Sequence, residues 1–330
     1  MNLALHPESI LFEANSLKPM LPVCEHYAGN PKFLKKAVEY RKESGLVFDI
    51  TCDLEDGAPV GREDEHRKEM LEMFLSLDDS FGRIGVRLHD PEHPIFRKEL
   101  NCVIETLGLK IGYLTIPKVK NASVVMEVEK EVQAVLAKHS LKQTIPLHIL
   151  IETPQALNEV WSIAALQSVS VLDFGIMDFI AEHQGALDFR AVDSPLQFEH
   201  AVMQHVKSQI VLAAGAHRKI ASHNVCRFIK EPERAYQDAL TARTKFGFQR
   251  MWSVHPSQIE PIIKAMSPSS MQLEEAFKVL SLAKKASWGP VSYNGLLHDR
   301  ASYRSLWMLL KTAYYQKQAL PQGCVEEFFT

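Results

Sequence analysis

The chain has 330 residues, 46% of them apolar and 23% charged, so it can bury one large core or two ordinary ones, and it contains no stretch with a disordered composition. Its net charge of -3 is spread without basic clusters or single-sign blocks, which argues against nucleic acid or an anionic membrane and favours a small-molecule partner. Five scattered cysteines with no CxxC pair, an N-terminus without a basic-then-apolar leader, and no run near the roughly 20 apolar residues of a membrane span together read as a reduced, cytoplasmic protein.

Residues 1–18 read as irregular, and Met20-Leu21-Pro22-Val23 is the candidate first strand. Asn30 can cap a helix over Pro31 to Ser44, with Pro31 in its first turn. The apolar run 46–52 ends in Asp53-Leu54-Glu55-Asp56-Gly57, a turn with three carboxylates that is either a solvated acidic loop or part of a site. A helix over 64–77 leads to strand 84–90, which carries Arg87 near its end. A helix over 94–107 leads to strand 111–116, stopped by Pro117-Lys118 because proline cannot donate to a ladder. Asn121 then caps a helix over 122–139 whose Val125, Val128, Val132 and Val135 mark a core-facing stripe.

Two apolar runs follow, 147–151 and 172–177, which read as buried parallel strands tipped by Glu152 and Asp178 with a helix between them. An ionised carboxylate at the mouth of an apolar sheet is costly unless it meets a cation or donors, so these two acids form a candidate site for a hard metal ion. A polar loop to Ser194, a helix over 195–214, strand 219–225, a helix over 232–246 and strand 250–254 complete the series. Strand, loop and helix thus recur about eight times, which predicts an α/β fold, a (β/α)₈ TIM barrel, rather than a doubly wound sheet with its Gly-rich turn. The barrel would occupy 1–265, and 266–330 would form a C-terminal helical extension with amphipathic helices at 271–286 and 302–319 around a Gly/Pro turn. In such a barrel function gathers at the C-terminal ends of the strands, where Arg87, Glu152 and Asp178 would meet.

Taken together, the strand ends resemble the citrate lyase β-subunit and malyl-CoA lyase family. The pieces are Asp53-Leu54-Glu55-Asp56-Gly57, Val86-Arg87, Ile116-Pro117-Lys118-Val119, Ile151-Glu152-Thr153-Pro154, Phe174-Gly175-Ile176-Met177-Asp178 and Val254-His255-Pro256-Ser257-Gln258, all in family order. The resemblance implies an oligomeric Mg²⁺-dependent barrel, a homo-oligomer such as a trimer or hexamer, that cleaves or forms a carbon-carbon bond between an acyl-CoA enolate and a keto acid. It makes Glu152 and Asp178 the metal ligands and Arg87 the partner of the substrate carboxylate, with Glu55 and Asp56 orienting metal waters or Arg87. Lys118, Pro154 and His255 join Arg87 as substrate-binding candidates.

Asn294-Gly295-Leu296-Leu297-His298-Asp299 is similar to the family's Asp-Gly-Lys-Met-Ile-Asp segment, which implies that Asp299 is a catalytic acid placed over a neighbouring barrel. The chain departs from the pattern at Asn294, Leu296 and Leu297, at Gln155, and at Val23-Cys24-Glu25-His26, where the family has Val-Pro-Gly followed by a CoA-binding arginine. The same site could also serve acyl-CoA thioester hydrolysis, or a barrel that binds its ligand without cleaving it. Lys118 as a Schiff-base lysine, Cys52 as a mouth-facing thiol and His255 as a general base are the competing chemistries; the paired carboxylates favour the metal route, and His255 and Cys52 read as structural.

Overall fold

The computed structural model describes residues 6–13, 20–77 and 83–329. Eight parallel strands close into a barrel in sequence order: β1 Cys24–Ala28, β2 Asp49–Asp53, β3 Ile84–Arg87, β4 Leu114–Ile116, β5 Leu147–Ile151, β6 Val169–Phe174, β7 Ile220–His223 and β8 Arg250–Ser253. The chain thus has the eightfold α/β barrel that its recurring units predict. The first strand lies at 24–28 and not at 20–23. Pro22 cannot donate to a ladder, and the strand starts one residue past the expected run, at Cys24, which pairs with Met251 before Glu25 pairs with Asp49.

Helix boundaries follow local chemistry. Asn30 and Asn121 accept from the main-chain N–H of Phe33 and Val124 at 2.9 and 3.0 Å, capping Pro31–Ser44 and Ala122–Lys138 as their positions predict. The valine stripe of the second helix is buried at Val125, Val128 and Val132. Asp178 does not tip a strand: β6 stops at Phe174, and Asp178 sits in the first turn of a helix, Ile176–Ala181, where a carboxylate suits the helix dipole. The stretch expected to loop to Ser194 therefore begins as helix.

The barrel unit spans Val23–Met266, and the chain before Val23 groups with Ser267–Thr330 in a second compact unit. In that second unit the helices Ser270–Lys285 and Arg300–Tyr315 flank an antiparallel hairpin, β9 Val291–Tyr293 with β10 Leu296–His298. Trp288, Tyr303, Trp307 and Leu310 fill its core together with Leu11 from the N-terminal helix. No helix among the described residues is long and apolar enough to cross a membrane.

Barrel interiors are commonly filled by branched apolar side chains, but this one is polar. Arg250 on β8 donates to Asp49 on β2 at 2.7 Å and to Glu25 on β1 at 2.5 Å, and Thr51 donates to Glu25. Tyr113 stacks on His148 with ring centroids 3.9 Å apart, and Gly85 makes room for it: a side chain there would lie 2.2 Å from the Tyr113 ring. Cys52 alternates the other way and packs in the apolar shell between strands and helices, so it does not face the mouth.

Candidate active site

The C-terminal ends of the strands enclose a cavity of ≈ 390 Å³ lined by Asp53, Asp56, Arg87, Glu152 and Asp178 on its polar side, and by Tyr27, Phe174, Val225 and Trp252 on its apolar side. A smaller cavity of ≈ 210 Å³ shares Glu152 and Asp178 and is lined also by Lys118 and Lys120. The structure therefore brings Arg87, Glu55, Asp56, Lys118, Glu152 and Asp178 together.

Arg87 is buried, and its fork is already occupied. Its Nε and Nη2 donate to the two oxygens of Asp53 at 2.8 and 2.7 Å, Nη1 lies 2.9 Å from Glu55, and Nη2 lies 3.3 Å from Asp56. Register dictates the first pair, because Asp53 on β2 sits directly beside Arg87 on β3. The expected two-bond grip on a substrate carboxylate through that edge is thus made to Asp53, the residue of the acidic turn that sequence reasoning left without a role. A carboxylate ligand would have to share Nη1 with Glu55 or take the place of the exposed Asp56 at Nη2. The guanidinium also lies over the Tyr27 ring, 5.2 Å from its centroid, and Tyr27 stacks on Trp252 at 4.7 Å. Tyr27 escaped sequence reasoning because β1 was placed too early; once Glu25 points inward, alternation puts Tyr27 at the mouth, and Trp252 lies on β8 where the expected strand 250–254 has it.

Glu152 is buried beyond the end of β5. Its Oε1 accepts from the main-chain N–H of Lys118 at 2.6 Å, and Lys118 adopts a left-handed conformation, φ 51°, that aims this N–H at the carboxylate. Gly175 supplies the other wall, since a side chain there would lie 2.3 Å from Glu152 Oε2. The Lys118 side chain bridges the acids, 2.7 Å from Glu55 and 3.9 Å from Asp178. Five carboxylates, from Asp53, Glu55, Asp56, Glu152 and Asp178, thus surround two cations.

The imbalance shows in the proton affinities. Burial, and then the charges of Asp178 and Glu55, push the Glu152 carboxyl well above the usual carboxylate range. Burial raises Asp178 as well, against the pull of Lys118, and burial raises Glu55 against that of Arg87. Burial alone would lower Lys118, but the Glu55 hydrogen bond and charge hold it above the ordinary lysine value. Carboxyls raised by burial in this way gain charge only at a cost that a nearby cation would lower, and Glu152 and Asp178 are residues that line both cavities.

Other motif residues are staples. Gly57 approaches Gly29 so closely that a side chain would lie 2.8 Å from the Gly29 carbonyl oxygen. Thr153 donates to the Val119 carbonyl at 3.1 Å and caps the next helix, with Pro154 in its first position. Gln258 accepts from Val254 N–H and donates to the Cys226 carbonyl, tying the loops after β8 and β7. His255 is exposed, bonds Ser257 at 2.8 Å and does not line the cavity. Asp299 belongs to the second unit, where it caps Arg300–Tyr315 by accepting from the N–H of Ala301 and Ser302.

Comparison with known proteins agrees with this architecture. The family described as HpcH/HpaI aldolase/citrate lyase matches residues 30–256. An L-malyl-CoA/beta-methylmalyl-CoA lyase of Rhodobacter capsulatus is 25% identical, with 81% of this chain and 88% of that protein covered. A citrate lyase of Burkholderia xenovorans LB400, known as a crystal structure, is 38% identical with a TM-score of 0.87, over 98% of this chain and 99% of the other. The protein CitE of Mycobacterium tuberculosis, crystallised with magnesium, acetoacetate and coenzyme A, shares the fold at 23% identity and a TM-score of 0.69, over 89% and 98% of the two chains.

Proposed function

Because the chain belongs to the HpcH/HpaI aldolase/citrate lyase family, we propose that it is a magnesium-dependent carbon-carbon lyase that splits a 3-hydroxyacyl-CoA into an acyl-CoA and a 2-oxo acid, as malyl-CoA and citryl-CoA lyases do. The observation that carries this reading is the pair Glu152 and Asp178 beside Arg87, an acid excess in a cavity large enough for a small oxo acid. Glu152 and Asp178 would hold the magnesium ion, which supplies a Lewis acid for the oxygens of the oxo acid. The fit rests on this chain's own atoms: the carboxylates exceed the cations, and Gly175 leaves the space that the Glu152 carboxylate fills.

The remaining roles follow from position. The Lys118 N–H fixes one oxygen of Glu152, leaving Oε2 on the Gly175 side for the ion. Arg87, held by Asp53 and Glu55 and lying over Tyr27, presents its charge to the substrate carboxylate and to the enolate that forms as the bond breaks. Glu55 keeps Arg87 and Lys118 in place, because its two oxygens face one each. Phe174, Val225 and Trp252 give the acyl portion an apolar wall and keep water from the enolate carbon. Asp299, which the family resemblance puts over a neighbouring barrel in a closed homo-oligomer, would be the acceptor of the substrate's hydroxyl proton.

A coupled assay of the purified protein with malyl-CoA, citryl-CoA and free 2-oxo acids, with and without magnesium, tests the reading. Cleavage that requires magnesium is the expected result. Release of free CoA without any oxo acid would make the protein a thioesterase, and turnover unchanged by a chelator would remove magnesium from the reaction.

A further inference from the structure

The barrel interior below the mouth carries a second group of metal-ligand atoms. Glu25 on β1, His148 on β5 and Asp173 on β6 each offer one ligand atom, and these atoms all lie within 4.8 Å of one another. All three residues are wholly buried. Two of them have atoms that nothing satisfies: neither ring nitrogen of His148 makes a hydrogen bond, and Asp173 uses Oδ1 to accept from Trp252 while Oδ2 has no partner. Glu25 Oε2 lies 3.6 Å from His148 Nδ1, beyond hydrogen-bonding range. A buried polar atom without a partner costs about 1–3 kcal/mol, and His148 and Asp173 each bring at least one to this cluster.

The charges are unbalanced in the same sense. Glu25, Asp49 and Asp173 bring three carboxyl groups to the interior, and Arg250, the guanidinium among them, is engaged by Glu25 and Asp49. That pairing leaves Asp173 and the second oxygen of Asp49 uncompensated. We propose that the barrel interior holds a divalent transition-metal ion between Glu25, His148 and Asp173, separate from the site formed by Glu152 and Asp178 at the mouth. One imidazole nitrogen with two carboxylates selects zinc, manganese, iron or cobalt over magnesium, whose hard character favours oxygen donors alone. The ion would give a partner to one ring nitrogen of His148 and to the Asp173 carboxylate, and through Asp173 it would fix the Trp252 indole, on which Tyr27 and hence Arg87 rest. Since the ligands are sealed from solvent, the ion would enter as the chain folds and exchange slowly.

Cobalt is the probe, because its visible spectrum reports its ligands. The full chain carrying Glu152→Gln and Asp178→Asn, which disables the mouth, should be produced in cobalt-supplemented medium and purified through a chelator. Stoichiometric cobalt with d–d bands is expected, and its loss on adding His148→Gln, with circular dichroism unchanged, would support the assignment. A folded mouth-disabled protein without cobalt, zinc, iron or manganese by elemental analysis overturns it. So does a folded His148→Gln protein that keeps its metal. Should His148→Gln fail to fold, X-ray absorption on the cobalt-loaded parent decides: one imidazole nitrogen in the coordination shell supports the site, and an all-oxygen shell overturns it. Catalytic activity enters none of these readouts, so the outcome is independent of the lyase reading.

Discussion

Two buried arginines show how differently one barrel uses the same ion pair. Arg250, in the interior, spans Asp49 and Glu25 on two other strands and is sealed from solvent. Arg87, at the mouth, is likewise clamped by an adjacent strand's aspartate, yet its neighbours include Glu55 and Asp56, and Glu152 and Asp178 line the same cavity. The interior pair closes the barrel. At the mouth the same arrangement opens onto a cavity, and that opening separates a network sealed inside the barrel from one that can meet a substrate.

The sharpest way to break the comparison is to remove each centre in turn. Arg250→Met leaves Glu25 and Asp49 without their guanidinium in a sealed interior and should cost about 3–5 kcal/mol in denaturant unfolding. Glu152→Gln should do the opposite to the metal-free protein near neutral pH, raising its melting temperature, because it removes a carboxyl whose ionisation is opposed by burial first and then by Asp178 and Glu55. The same variant should lose magnesium binding in calorimetric titration and lose turnover. If Glu152→Gln binds magnesium like the parent, the mouth is not the magnesium site.

The expected magnesium loss could be posed from sequence because strand-end carboxylates are legible there. Glu152 follows an apolar run, Asp178 closes a Gly-containing motif, and Asn30 and Asn121 cap their helices as their residue types dictate. What was hidden depends on register. Placing the first strand at 20–23 concealed the inward alternation of Glu25 and Tyr27, and with it both the interior network and the aromatic floor. The occupation of Arg87 by Asp53 follows from β2 lying beside β3 at that level, which no local pattern states. His255 and Gln258 share a motif with different fates, since only Gln258 has a buried partner on a neighbouring loop.

Smaller effects sharpen the picture of the mouth. Gly175→Ala puts a methyl where Glu152 Oε2 now lies, 2.3 Å from its position, so the carboxylate must turn away. Magnesium affinity should fall by roughly tenfold or more, in keeping with the loss of an orienting contact to a metal ligand. Arg87→Lys keeps a charge but cannot hold Asp53 with two bonds while facing Glu55, so kcat/KM for carboxylate substrates should fall while magnesium affinity changes little. Unaltered kinetics for Arg87→Lys would remove the guanidinium from the chemistry.

The smallest effect is on stability against pH, and its sign separates the mouth from ordinary surface acids. Burial first, and like charge after it, raise the carboxyls of Glu152 and Asp178 in the metal-free fold above their unfolded values near 4. The folded state then binds more protons than the unfolded one across the window that starts there and runs to the raised folded values. Stability contributed by these groups is present below about pH 4 and declines as pH rises through that window. Exposed paired acids such as Asp188, held down by Arg190, run the other way and gain stability as pH rises. The quantity to measure is the melting-temperature difference between the parent and a Glu152→Gln, Asp178→Asn protein, followed from acid to neutral pH without metal. It should shift against the parent as pH rises, because only the parent must ionise these groups in a buried mouth. Saturating magnesium should abolish or reverse that slope, since the ion holds both carboxylates in their charged form and competes with protons for them. A metal-free difference that is flat with pH would mean that Glu152 and Asp178 are already compensated within the fold, and the acid excess assigned to the mouth would lose its meaning.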